Sequence, residues 1–466
     1  MKVILAGYNL DSEVIEGLKR GETDRKDITP EVLSASYARI SRDPRPVNEL
    51  RAAARAEVEK ARQSNQNIIF KMGHHSVAEH AVFNFDILGI SRFALEELEK
   101  FRLCSYTEKS QRYQVLEDII WVPEEIEKAG FTSLFQETVQ AQNQFYRELI
   151  EKKVEAEDAR YVTALATPAQ LGMTINARAL ELLFRRFASH PLSEVNQLGR
   201  EMYDQVKDIA PSIILFTEAN ALDRDTYSEL RTQSTEHRTQ GGKEGATKEV
   251  DLVDYTRDAD NRLLAALLHT STDQSYRNCL EKIKTMGEEQ KKQIIKTALK
   301  NMEFFDTTLR EFEFVNLTFE LVVSSACFGQ LKRHRMATIT CQPYDPSLGV
   351  TIPQNINRLE FEPIIKKTEA AYQKIFAKHP LAAPYILTGA HRKRVLLKCN
   401  ARELYHLSRL REDKHAQWDI QKIARKMSEL AKEVMPLTML TIGGKDAYPE
   451  IYQKVFGRPP KSLPLY

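Results

Sequence analysis

Gln330-Leu331-Lys332-Arg333-His334-Arg335 decides how this chain is read. Four cationic or titratable side chains stand in a row, just after the largely apolar run 319–328. A strand or helix that ends in Arg-His-Arg brings several hydrogen-bond donors to one spot, and guanidinium forks match the oxygens of a phosphate. A solvated basic turn would look the same taken alone, because charge runs are usually wet surface. A second copy separates the two readings. Glu97-Leu98-Glu99-Lys100-Phe101-Arg102 also follows an apolar segment, Val82 to Leu95, and its Lys100 answers Arg333. Asn176-Ala177-Arg178 returns as Asn400-Ala401-Arg402, at nearly the spacing that separates Lys100 from Arg333. Two matches at nearly one offset mark a tandem duplication, and so long a period means two domains of one fold rather than a solenoid.

The 466 residues suffice for two or more domains. A net charge of +2 and a pI near 8.1 are too mild for bulk attraction to nucleic acid or membrane, so anion recognition must be local. Five cysteines with no Cys-x-x-Cys pair argue against a disulfide framework and a zinc ribbon, and for a reducing compartment. Met1 to Tyr8 reads as a first strand, not a signal peptide, and no run reaches membrane-spanning length, so a cytoplasmic protein is expected.

The pattern divides the chain into a first domain at 1–222, a polar linker at 223–249 and a second domain at 250–466. Lys2–Ala6, Ala81–Ile90, Gln114–Val122 and Val315–Ser324 read as strands. Asn48–Ser64, Leu134–Val154, Ala177–Phe187, Glu362–Lys378 and Ala401–Leu410 read as helices. Long helices with a few strands placed before turns give an α+β class.

Three further clusters carry polar chemistry. Gly73-His74-His75-Ser76-Val77-Ala78-Glu79-His80 suits a metal through His75 and Glu79, a histidine-containing helix start, or a helix N-terminus facing a phosphate. No third metal ligand stands nearby. Ser110 and Arg112 sit beside Glu108, without the glycines of a nucleophile elbow, so Ser110 reads as a phosphate or base contact or as part of a polar loop. After Asn400, Arg402 and His406 share a helical face at i, i+4 spacing, which suits a large polar ligand or a charged outer face.

Together these motifs resemble the flavin-dependent thymidylate synthases, which carry Arg-His-Arg, seven intervening residues and then Ser. The resemblance covers nearly the whole chain, as two fused copies of a domain with long helices and a small antiparallel sheet. It implies an FAD enzyme that makes dTMP from dUMP, taking carbon from methylenetetrahydrofolate and electrons from NADPH. It also implies dUMP and folate as partners, no nucleic acid, membrane or metal, and a homodimer that replaces the family's tetramer. By resemblance Glu108, Ser110, Arg112, Arg160, Gln330 and Arg333 bind dUMP. Ser41, His74, Ser76, Glu79, His334, Arg335, Asn400, Arg402 and His406 hold FAD, and Arg411 is catalytic, stabilising negative charge on the uracil.

The copies depart from the family pattern in opposite ways. The first has Lys100-Phe101-Arg102 for Arg-His-Arg, Glu97 for Gln330, and Leu182 and Phe187 for His406 and Arg411. The second has Pro343 for Ser110, Asp345 for Arg112 and Pro384 for Arg160, and its counterpart of 73–80 is degenerate around Asp306 to Phe312. The losses interlock, so the expected active sites are composite, with residues from both copies. The competing expectations are a flavin-dependent methylase or hydroxymethylase of another pyrimidine nucleotide, and a nucleotide-binding pseudoenzyme.

Overall fold

Alternating apolar residues make the same four-stranded antiparallel sheet twice. The computed structural model describes residues 1–22, 28–236 and 248–464. In the first copy β1 (Lys2–Tyr8), β2 (Val82–Ser91), β3 (Cys104–Glu108) and β4 (Pro168–Asn176) pair in the order β1-β2-β4-β3. In the second β5 (Val250–Tyr255), β6 (Asn316–Ser324), β7 (Thr338–Cys341) and β8 (Arg392–Asn400) pair as β5-β6-β8-β7. The register repeats as well: Val82 faces Asn176, and Asn316 faces Asn400. The chain is therefore α+β and duplicated, as expected. In the second sheet Leu317, Phe319, Leu321 and Val323 share a buried face with Val395, Leu397 and Cys399. Alternate side chains of a strand point to one side, so this face forms a core under helices Ala401–Arg411 and Trp418–Val434.

One residue breaks the repeat within the second strand of each sheet. The first copy takes one position more to run from Glu79 to Ser91 than the second takes from Glu313 to Ser324. The extra residue is Gly89. The pairing of β2 with β4 shifts between Leu88 and Ile90, and Gly89 has φ +73°. Side chains in that region cost roughly 1–2 kcal/mol, which glycine avoids. The matching β6–β8 ladder runs without a shift.

Both copies turn from strand to helix with the same caps. Ser91 Oγ accepts from the Ala94 N–H (2.9 Å) and donates to Glu194 (2.6 Å). Ser324 Oγ accepts from the Cys327 N–H (3.0 Å) and donates to Asp419 (2.6 Å). Asn176 and Asn400 accept from the Ala179 and Glu403 N–H groups at 2.9 and 2.8 Å. Each side chain satisfies an orphan N–H of a first helical turn.

The contacts divide the chain into two compact units that do not follow the sequence boundary at 250. Unit 1 is Met1–Gly242 with Gln354–Thr388, and unit 2 is Lys243–Pro353 with Gly389–Tyr466. A segment of the second copy is thus built into unit 1. There helix Arg358–Phe376 lies against helix Thr132–Glu151, with Gln142 Nε2 donating to Thr368 Oγ1 (2.8 Å) and to the Ile386 carbonyl (3.0 Å). Tyr385 donates to Glu194 (2.8 Å). Ala164 bridges Thr388, the residue at the same place in the second copy's sequence.

Several sequence expectations need correction. Gln114–Val122 forms no strand; the partner of β4 at that edge is β3. Inner strands β4 and β8 are not read from the sequence: in β8 Arg392-Lys393-Arg394 hides a ladder whose alternate residues are buried, and β4 opens on Pro168 and contains Gly172. Asn48–Ser64 is two helices, Val47–Ala56 and Val58–Asn65, broken at Glu57 (φ −136°, ψ 67°). Helix Ala221–Glu236 occupies the start of the expected linker 223–249; residues 237–247 lie outside the described residues. A helix, Ser325–Leu331, stands between β6 and the Arg-His-Arg triplet.

Candidate functional site

In unit 1 the edge strand β3 ends at Glu108, and Lys109 N–H donates to the Gln170 carbonyl (2.9 Å), which fixes the turn that follows. Glu108 is ion-paired with Arg92 at the start of helix Arg92–Leu98. Ser110 Oγ accepts from the Arg112 N–H (3.2 Å). Arg112 Nε donates to Glu157 Oε2 (2.7 Å), and Arg160 Nε donates to the Glu157 carbonyl (3.1 Å). Arg160 is buried, and its Nη2 has no hydrogen-bond partner. Burial holds its guanidinium below the ordinary value, and the Arg112 charge adds to this against Glu157 and Asp158. Ser110, Arg112 and Arg160 thus fall in one neighbourhood. A cleft of about 160 Å³ opens beside Ser110, lined by Gln111, Thr167, Ala169 and Gln170 among others.

The segment 73–80 becomes a short 3₁₀ helix, His75–His80. His75 packs edge-on against Phe70 (5.8 Å) and His80 against Tyr37 (4.7 Å). Glu79 pairs with Arg178 at 2.5 Å. Among the described residues no group of three or more His, Cys, Asp or Glu is gathered as metal ligands would be. His74, Ser76 and Ser41, at the end of helix Glu31–Arg39, are exposed.

In unit 2 the triplet alternates around a buried centre: Arg333 and Arg335 face outward, while His334 is 3% exposed. His334 lies between Glu403 Oε1, 3.3 Å from Nδ1, and Arg411, whose Nε donates to Nε2 at 2.9 Å. The His406 ring stands edge-on to it at 5.7 Å. Gln330 is buried in the preceding helix with neither amide atom partnered. Arg402 is held by Glu313 (2.8 Å), the Thr308 carbonyl (3.0 Å) and Thr307 Oγ1 (3.2 Å). This pair mirrors Arg178–Glu79, so the degenerate second copy of 73–80 keeps its glutamate, at Glu313. Asn400 has its side-chain oxygen engaged as the helix cap.

The counterparts in the other copy are closed. Glu97, in the place of Gln330, pairs with Lys100 (2.5 Å) and His190 (3.6 Å). Burial would raise its pKa, but His190 and Lys100 bring it down to about 2. Where the first copy has Ala169, Leu95 and Gln111, the second puts Lys393 Nζ over the rings of Phe328 (4.1 Å) and Tyr344 (4.2 Å). Sequence reading missed Arg92, Glu157, Glu313 and Glu403. Glu157 and Glu403 were legible only as carboxylates three residues from a motif arginine or asparagine, a spacing common in any helix.

No described helix is long and apolar enough to cross a membrane. The family profile described as "Thymidylate synthase complementing protein" matches residues 26–212 and again 251–437. A flavin-dependent thymidylate synthase of Clostridium tetani is 32% identical over 208 residues, covering 40% of this chain and 82% of that protein. A UPF0159 protein of Chlamydia muridarum is 24% identical over 422 residues, covering 81% of this chain and 79% of its own. A solved flavin-dependent thymidylate synthase of Helicobacter pylori, complexed with FAD and dUMP, is 20% identical with a TM-score of 0.34, covering 47% of this chain and all of its own. This chain belongs to the flavin-dependent thymidylate synthase family and carries the family's domain twice in tandem.

Proposed function

We propose that this protein methylates the uracil ring of dUMP to give dTMP, with FAD bound and with methylenetetrahydrofolate and NADPH as co-substrates. The observation that carries this reading is a pair of buried polar groups without partners, Arg160 Nη2 and the Gln330 amide. An unpaired buried donor costs about 1–3 kcal/mol, which a ligand that supplies the missing partner recovers. Both belong to the set that resemblance assigns to dUMP, and their counterparts Pro384 and Glu97 leave no such orphan. Arg112 and Arg160, which meet at Glu157, suit a 5′-phosphate, each charge-assisted hydrogen bond adding roughly 1.5–3 kcal/mol. The Gln330 amide offers one acceptor and two donors, which suits the alternating edge of uracil. Arg411 stabilises negative charge that builds on the ring. Turnover needs the first-copy set and the second-copy set together.

The chemistry of the residues assigned to FAD suits the phosphates and ring of a flavin dinucleotide: in unit 1 Ser41, His74 and Ser76 are exposed, and in unit 2 Arg335 is exposed and Arg402 is braced by Glu313. When bound, the flavin supplies the redox chemistry, and the chain binds and orients the partners. The test is tritium release from dUMP labelled at C5, with FAD and both co-substrates added. Release by the wild type, and a loss of kcat/KM of at least about 100-fold in Arg160→Ala and Gln330→Ala, is expected. Absence of release by wild-type protein loaded with FAD overturns the proposal.

A further inference from the structure

We propose that Glu403 is a positioning residue: it fixes the tautomer and orientation of His334, and His334 in turn aims Arg411. The three groups form a chain in unit 2, from Glu403 Oε1 to His334 Nδ1 at 3.3 Å and from His334 Nε2 to Arg411 Nε at 2.9 Å. Arginine Nε–H is a donor only, so Nε2 receives with its lone pair. The proton therefore sits on Nδ1, where Glu403 accepts it. His334 is 3% and Glu403 6% exposed, so neither exchanges its partner for water at low cost. The Glu403 N–H is held in turn by Asn400, which ties the carboxylate to the corner between β8 and its helix. The other titratable groups at the cluster are His406, edge-on to His334, and Cys399, buried near Glu403. Burial keeps His334 below the ordinary histidine value, assisted by the Arg411 and His406 charges and opposed by Glu403, which agrees with a neutral ring.

The first copy supplies an internal control. At the places of Glu403, His334 and Arg411 it has Ala179, Phe101 and Phe187. The two rings pack edge-on at 5.6 Å. All three polar members are gone together. Removing only one would leave buried partners unsatisfied, which costs more than replacing the whole set by apolar groups. Joint replacement is what a coupled unit undergoes. Where the glutamate is lost, the histidine and the arginine are lost with it.

This inference rests on the reading that Arg411 acts on the pyrimidine, and the experiment separates the two. The full-length protein loaded with FAD is labelled with ¹⁵N-histidine, and the His334 signals are assigned by their loss in His334→Gln. The wild type is expected to show the neutral tautomer protonated at Nδ1 from about pH 6.5 to 8. Glu403→Gln keeps an acceptor oxygen, so it should hold that tautomer and stay within about threefold of wild-type kcat. Glu403→Ala should lose the fixed tautomer and at least about tenfold in kcat, with less change in the KM for dUMP. An Nε2-protonated or cationic wild-type ring overturns the inference whether or not dUMP is turned over. So does a Glu403→Ala protein that keeps the tautomer. A wild type with the expected tautomer but no turnover overturns the functional reading and leaves the Glu403 contact standing. If Glu403→Ala does not fold, Glu403→Gln decides: a changed tautomer there also overturns the inference.

Discussion

His334 and Arg160 are buried ionisable groups treated in different ways. His334 has both ring nitrogens engaged, and burial, with the Arg411 and His406 charges, holds its pKa below the ordinary value near 6.5. The unfolded chain takes up a proton near pH 6.5 that folded His334 refuses. The stability due to the neutral ring is therefore present above that pH and is lost as pH falls through the lower folded value. The denaturant midpoint of the wild type should drop between about pH 7.5 and 5.5, and that of His334→Gln should drop less. Equal drops would remove His334 as the source. Arg160 is the converse, a buried cation with one orphan nitrogen, braced only partly by the Glu157 carbonyl. Arg112→Ala and Arg411→Ala test the interlocking sets: each alone should cut turnover by at least about 100-fold, since no other residue of the same copy replaces either group. Full activity in both variants would show that the complementary losses are a coincidence.

At the scale of elements, the polar cluster of unit 2 and the ring pair of unit 1 are alternative fillings of one corner, and the neighbouring helices are shaped to match. Helix Ser193–Val206 passes Phe187 at Gly199, where an added Cβ would stand 2.8 Å from the Phe187 Cβ. Helix Trp418–Val434 has Ala424 at the corresponding place, counted from Glu194 and Asp419. Gly199→Ala should therefore lower stability by about 1–3 kcal/mol through overpacking, read as a lower urea midpoint with an unchanged slope. An unchanged midpoint would mean that the helix shifts freely. The Gly89 bulge belongs to the same scale: it adds a residue to β2 just before the Ser91 cap, yet the cap geometry of the two copies agrees. The bulge absorbs the extra residue before the helix begins.

For the whole molecule, duplication implies that two chains supply four family domains, and a dimer with twice the 53.5 kDa chain mass is the expected species in light scattering. The purified protein should also carry FAD or take it up, with the visible absorbance of a flavin. A chain that stays monomeric while active would contradict the assembly, and a colourless protein that refuses added FAD would contradict the cofactor.

The tandem repeat, the α+β class and the family were legible in the sequence, because apolar spacing and short motifs such as Asn-Ala-Arg repeat in linear order. Strand Val315–Ser324 and the helices after both asparagines were legible for the same reason, as local pattern and caps. Inner strands β4 and β8 were not: the basic run Arg392-Lys393-Arg394 masks the alternation of β8, while Pro168 and Gly172 in β4 read as breakers until pairing with β2 supplies a ladder. The transfer of Gln354–Thr388 into unit 1 was invisible too: its helix reads the same wherever its apolar face finds a partner. The site divided along the same line. Resemblance to the family pointed to Arg112, Arg160, Gln330, His334 and Arg411, but Glu157 and Glu403 became meaningful only when folding set them against Arg112 and His334. Hydrogen bonds across long sequence separations depend on packing, and packing is what a linear pattern does not encode.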